Sequence, residues 1–228
     1  MKPMSDVMQS YLEATEFFDF NHPEVQQLSA QVVNPEMGDK EKAVALYYAV
    51  RDGVKYNPYV FSDQAKSLSA SYCLEHKESY CIPKAVLLGA VCRLNGIPSR
   101  LGLADVKNHL SSEALIKWLR SDVFVMHGYI ELYINGRWVK ATPAFDKTLC
   151  ERMGVAPLEF NGEEDSVFHE FNGDGHRAME YLADHGQFDD VPFDFIVQSV
   201  VKAYPHLTQD IHKRLMENHS LEQDLEQS

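Results

Sequence analysis

Cysteine, histidine and two oxygen-bearing side chains occur in this chain in an order that can support thiol chemistry. Cys81 stands where a long apolar run begins, with Pro83 just after it and Asn95-Gly96 at the far end. These signals predict a helix from Cys81 to Leu94, with proline in the first turn and a left-handed cap at Asn95-Gly96. A thiol at a helix N-terminus meets the positive end of the dipole and amide donors without partners. Both favour thiolate, and the same amides can hold an oxyanion. His127 follows Val125-Met126 and opens Gly128-Tyr129-Ile130-Glu131. It therefore falls near the start of a strand, from which it could reach the sulfur as a general base. The next strand, Trp138-Val139-Lys140-Ala141, delivers Thr142 and, shortly after, Asp146. Either could orient the imidazole.

Each residue type also has a plainer use. A lone cysteine in an apolar helix is commonly a small buried hydrophobe, which suits Cys92, Cys73 and Cys150. Asn108-His109 could border the cleft or simply cap a loop. His176 and Glu180 share a face of an expected helix, with His169 and His185 nearby in sequence. Two ligands at that spacing could begin a metal site, and a solvated amphipathic face explains them as well. Tyr56 or Gln64, ahead of the cysteine helix, could give a second oxyanion donor. The chain has neither a glycine-rich phosphate loop nor a GxSxG elbow.

The elements that must position these residues follow from pattern. Asn21-His22-Pro23 starts a helix carrying Val25, Leu28 and Val32, with Asn21 as cap. Asp39 caps a second, which ends at Asp52-Gly53. Tyr56 to Phe61 reads as an extended connector, and Leu68 to His76 as a short helix. Beyond the cysteine helix, Arg100 to Val106 reads as a strand and Ser112 to Leu119 as a helix. Val123 to Ile134 and Arg137 to Ala141 read as strands joined at Asn135-Gly136, the strongest short hairpin signal. After Pro157 the pattern turns helical around Arg177 to Ala183, Phe193 to Tyr204 and from Thr208, with Leu215 to Ser228 expected to fray. The sum is an α+β layout, helices flanking a central antiparallel sheet. One domain is expected over 1–156, with a helical extension over 157–228 packed on it and covering one side of the cleft.

Composition narrows the partners. The 228 residues include 45% hydrophobic side chains, enough for a substantial core and against intrinsic disorder. Lysine and arginine total 21 against 34 acidic residues, a formal charge of −13. Such a surface repels phosphate backbones and anionic headgroups, so neither nucleic acid nor membrane is an expected partner. The longest apolar run is far below the roughly 20 residues a spanning helix needs. The acidic amino terminus lacks a secretory pattern. With four cysteines and no CxxC pair, a reducing cytoplasm is the expected home.

The stretch YCIPKAVLLGAVCRLNGIPSR resembles the nucleophile helix of the transglutaminase-like superfamily, with Gly96-Ile97-Pro98-Ser99-Arg100 matching its closing element. His127-Gly128-Tyr129 resembles the histidine element, and Gly136-Arg137-Trp138 the following hairpin. The agreement in order and spacing runs from about Ala43 to Pro143. The resemblance implies a papain-like α+β core and acyl transfer through a cysteine thioester, on a peptide, protein or small amide substrate. Two departures stand out. Ser79 occupies the place where the family commonly has glycine, and Thr142 the place of its usual aspartate.

Cys81 is thus expected to attack an amide-type carbonyl and His127 to take and return the proton. Asp146 or Thr142 would hold the ring, and the Cys81 amide would contribute to the oxyanion hole. No cofactor is required by the chemistry this resemblance implies, and calcium, used by some animal relatives, has no visible loop here. Two rivals remain. One is a non-catalytic binding module of the same fold, favoured by Thr142. The other is a thioester acyltransferase of the arylamine N-acetyltransferase type, which would need a basic patch for coenzyme A phosphates that the sequence does not offer.

Overall fold

The computed structural model describes residues 8–109, 111–167, 179–207 and 220–226. Its centre is one helix that the sequence makes apolar on every side. Helix α4 (Cys81–Leu94) buries all but its last residue, as a helix without a polar stripe must. It packs against α1 (Pro23–Val32), α2 (Asp39–Gly53) and α3 (Ala70–His76) on one side. On the other lie strands β3 (Ser99–Asn108) and β4 (Val123–Ile134). Gly89 sets how closely helix and sheet approach: a Cβ there would lie 2.5 Å from the Phe18 ring and 2.9 Å from Ile130.

The one lysine in this helix finds partners. Lys84 is fully buried, and its Nζ donates to the carbonyls of Arg51, at 2.8 Å, and Val54. It thereby satisfies backbone acceptors at the end of α2. Burial pulls its pKa down to about 8, while Asp146 and other nearby anions oppose the shift. At the far end Gly96 adopts φ +78°, and the Ile97 and Gly96 amides donate to the Cys92 and Arg93 carbonyls. This is the expected glycine cap, in its Schellman form.

The main sheet is antiparallel, in the order β5-β4-β3-β6, with β5 at Arg137–Ala141 and β6 at Met179–Phe188. A two-residue parallel pair, β1 (Lys55–Tyr56) and β2 (Glu78–Ser79), lies just before α4. The β4–β5 hairpin turns at Asn135-Gly136, both with positive φ, as the sequence predicts. Helices α5 (Glu113–Leu119, capped by Ser112), α6 (Lys147–Met153), α7 (Phe193–Ala203) and α8 (Leu221–Glu226) complete the described elements. The architecture is the α+β one expected.

Several local expectations need correction. The segment Arg177 to Ala183 is not helical where it is described: Met179–Phe188 forms β6 along β3. The extension after Pro157 therefore contributes a strand to the sheet as well as helices. The first helix is preceded by His22 and the second by Gly38, so neither Asn21 nor Asp39 is the cap. Within the connector, Pro58–Val60 closes into a short 3-10 turn. Part of the segment expected to fray, Leu221–Glu226, is a docked helix: Leu221 is buried, and the Tyr59 and Ser112 hydroxyls donate to the buried Asp224 carboxylate at 2.6 and 3.0 Å. The helix expected from Thr208 falls on residues outside those described. Among the described residues no helix is long and apolar enough to cross a membrane.

Candidate active site

Cys81 is the first residue of α4, preceded by the extended Tyr80, and no side chain caps the turn. Pro83 has no amide hydrogen to offer, so the first-turn donors are the Cys81 and Ile82 amides. Strand β4 crosses directly over this helix end. The Gly128 amide donates to the Cys81 sulfur at 3.4 Å, and a Cβ on Gly128 would lie 2.8 Å from the Ile82 Cα. Only glycine lets the strand come this close.

His127 precedes Gly128 and is reached through a distortion. Ala104 pairs with His127 and Val106 with Phe124, so β4 carries an extra residue there. Within this bulge Met126 takes φ +59°, a left-handed conformation unusual for a non-glycine residue. Asp105 holds it: its Oδ1 accepts the Met126 amide at 3.0 Å and the His185 Nε2 at 2.8 Å. The start of β4 is held from the other side by Tyr204, whose hydroxyl accepts from the Val125 amide at 3.0 Å and donates to the Val123 carbonyl at 2.6 Å. None of Met126, Asp105, His185 and Tyr204 was singled out by sequence for this purpose. The Asp105 and Tyr204 contacts join distant parts of the chain, and only the fold reveals them.

Cys81 and His127 line one cavity of about 80 Å³. Both are almost wholly enclosed, at 8% and 5% exposure. Burial pushes the Cys81 thiol up to about 11, against the pull of the Gly128, Ile82 and Cys81 amides. Burial alone holds the His127 imidazole down to about 4. At neutral pH the pair is therefore thiol and neutral imidazole, not thiolate and imidazolium. The tail supplies part of the wall through Val200, Tyr204 and Leu207.

Neither candidate orienting residue lines this cavity. Asp146 caps α6, its Oδ1 accepting from the Leu149 amide at 3.0 Å, while its Oδ2 accepts from the Tyr56 amide at 3.0 Å. Thr142 is buried beyond β5: its carbonyl accepts from the Tyr47 hydroxyl at 3.2 Å, and its own hydroxyl has no hydrogen-bond partner. Neither side chain hydrogen-bonds the His127 ring in this structure. Of the two suggested oxyanion donors, Tyr56 lines the cavity and Gln64 lies exposed ahead of a 3-10 turn. Asn108 lines the cavity, whereas His109 faces Glu180 at 3.9 Å. His169 and His176 fall outside the described residues, and His185 is engaged by Asp105. Among the described residues no group of three or more His, Cys, Asp or Glu side chains could hold a metal ion. Cys73, Cys92 and Cys150 are buried free thiols, each with its pKa raised by burial.

A buried thiol thus heads the central helix, and a histidine lies on the antiparallel sheet packed against it. The chain belongs to the transglutaminase-like superfamily, whose family model matches residues 26–143, just over half its length. Among solved structures, the chain is similar to one described as a candidate cysteine protease from Cytophaga hutchinsonii. The identity is 16%, the TM-score 0.46, and the match covers 82% of this chain and 57% of that one. The chain thus spans little more than half the length of that neighbour. No curated protein matches this chain.

Proposed function

We propose that the protein is a cysteine enzyme that transfers or hydrolyses an acyl group drawn from an amide-type carbonyl. The observation that carries this reading is the shared cavity of Cys81 and His127 at an uncapped helix N-terminus. As substrate enters, the Cys81 sulfur bonds to the carbonyl carbon while its proton passes to His127, and the π electron pair moves to oxygen. The Cys81 amide, at the head of the helix, is placed to receive that oxyanion. Collapse expels the amine, which leaves with the proton from His127, and a thioester remains on Cys81. Water or a second amine then attacks the thioester, and the proton follows the reverse route. The resident groups supply every proton, and the reaction needs no cofactor.

Thr142 is the better choice to orient the imidazole. It occupies the place of the family's aspartate and keeps an unengaged hydroxyl, whereas both Asp146 oxygens accept backbone amides. Asp146 then acts at one remove, by fixing the Tyr56 backbone in the cavity wall.

The test is acylation by p-nitrophenyl esters, read as a burst of p-nitrophenolate and as an acyl mass increment on the Cys81 peptide. A burst lost in Cys81→Ala and slowed at least about 100-fold in His127→Ala supports the reading. Absence of any acyl-Cys81 with every ester supports the binding module, which the enclosed, un-ionised thiol also favours.

A further inference from the structure

The cavity beside Cys81 has a composition that the reaction does not require. Most of its wall is apolar, with Phe61, Trp118, Leu119, Phe124, Val200 and Leu207 among its members, and among the described residues no lysine, arginine, aspartate or glutamate lines it. The Tyr204 hydroxyl is already spent on the β4 backbone. Tyr80, immediately before Cys81, differs: the residue lines the cavity, and its hydroxyl is buried without a hydrogen-bond partner. A buried donor without a protein partner gains a hydrogen bond when a ligand oxygen arrives.

Size sets a further limit. An apolar cavity of about 150 Å³ accommodates benzene, and this one measures about 80 Å³. The smaller space favours a compact branched aliphatic group over a ring. A carboxylate entering here would lose its hydration and meet no cation among the described lining residues.

We propose that this cavity is an acyl pocket for a small, neutral, branched-aliphatic acyl group, with the Tyr80 hydroxyl receiving the oxygen of the carbonyl under attack. The proposal deepens the catalytic reading and rests on it for the word acyl, but pocket preference can be measured without turnover. In the resulting site the Cys81 amide and the Tyr80 hydroxyl share the oxyanion, one from the helix end and one from the residue before it. Tyr80 does the second donor's work, and Gln64 is not needed.

Two measurements on the full chain test this. In Cys81→Ser protein, where no thioester can form, titration with isobutyramide, isovaleramide, benzamide and succinamate is followed by ligand-observed NMR. The branched amides should bind at least about tenfold more tightly than the other two, and Leu119→Ala should admit benzamide. Benzamide or succinamate binding as well as isobutyramide, or no binding by the branched amides, would overturn the proposal. In Cys81-intact protein, Tyr80→Phe should slow the isobutyryl-ester burst by about 100-fold with little change in KM. An unchanged burst would remove Tyr80 from the oxyanion site. The expected amide order together with no acyl-Cys81 would refute the catalytic reading alone, whereas acyl-Cys81 formation indifferent to the acyl group would refute the pocket alone.

Discussion

The backbone amide of Gly128 donates to the sulfur of Cys81 at 3.4 Å, so the strand that carries His127 touches the Cys81 thiol through its main chain. This contact exists because residue 128 has no side chain. Gly128→Ala places a methyl 2.8 Å from the Ile82 Cα, which is backbone and cannot rotate aside. Overpacking of this kind costs about 1–3 kcal/mol. The variant should show that loss in urea unfolding, and any folded protein should acylate Cys81 far more slowly, because strand and helix end have moved apart.

The thiol is predicted to be quiet in the absence of substrate. With its pKa pushed up to about 11 by burial, roughly a thousandth of Cys81 is thiolate at pH 8. Iodoacetamide labelling of the Cys81 peptide should be slow at neutral pH, rise about tenfold per pH unit, and level off only near pH 11. His127→Ala should leave this profile in place, since the resting pair is not ionised. Fast labelling at pH 6 that vanished in the mutant would show an ion pair instead.

His127 also makes stability depend on acid. Its folded pKa of about 4 lies below the 6.5 of an exposed imidazole. The unfolded chain therefore takes up a proton first as pH falls. The benefit of keeping the ring neutral is complete above about pH 6.5 and is lost on acidification from there to about pH 4. The span corresponds to about 3 kcal/mol. Urea midpoints from pH 7.5 to 4 should fall more steeply for wild type than for His127→Gln.

Thr142 and Asp146 should part company when substituted. Thr142→Val removes a buried hydroxyl that has no partner, and stability should rise by about 1 kcal/mol. If Thr142 turns toward the imidazole during the reaction, the same variant loses acylation rate while gaining stability, a split that a structural role would not give. Asp146→Ala deletes the cap of α6 and the acceptor of the Tyr56 amide, and should cost about 1–2 kcal/mol. Rate loss in Asp146→Ala alone would reverse the assignment.

Much of this was legible in the chain itself. The cysteine helix, its glycine cap and the Asn135-Gly136 hairpin each rest on local chemistry, a continuous apolar run or residues that tolerate positive φ, and local chemistry is what a sequence displays. Strand β6 was hidden for a physical reason. Met179 is buried, but the following residues up to Asp184 are half or fully exposed, so no alternation marks it as a strand. Backbone pairing with β3, through two register shifts, is what extends it. The docking of α8 was hidden similarly: its buried Asp224 reads as a solvent residue until Tyr59 and Ser112 are seen to hold it. At the site, the positions of Cys81 and His127 were readable. The bulge at Met126 was not, because it depends on a carboxylate twenty-one residues away.

Tyr204 has a consequence in time. A ribosome makes the chain from its amino terminus, so the segment matched by the family, 26–143, emerges well before this phenol. Until then the Val123 carbonyl and Val125 amide have only water to bond, and the wall made by Val200, Tyr204 and Leu207 is missing. A nascent site of this kind is wet, and a wet thiol lies nearer its ordinary acidity. Arrival of the segment 200–207 therefore does two things at once: it adds the wall beside Cys81, and the burial it brings raises the pKa of the thiol.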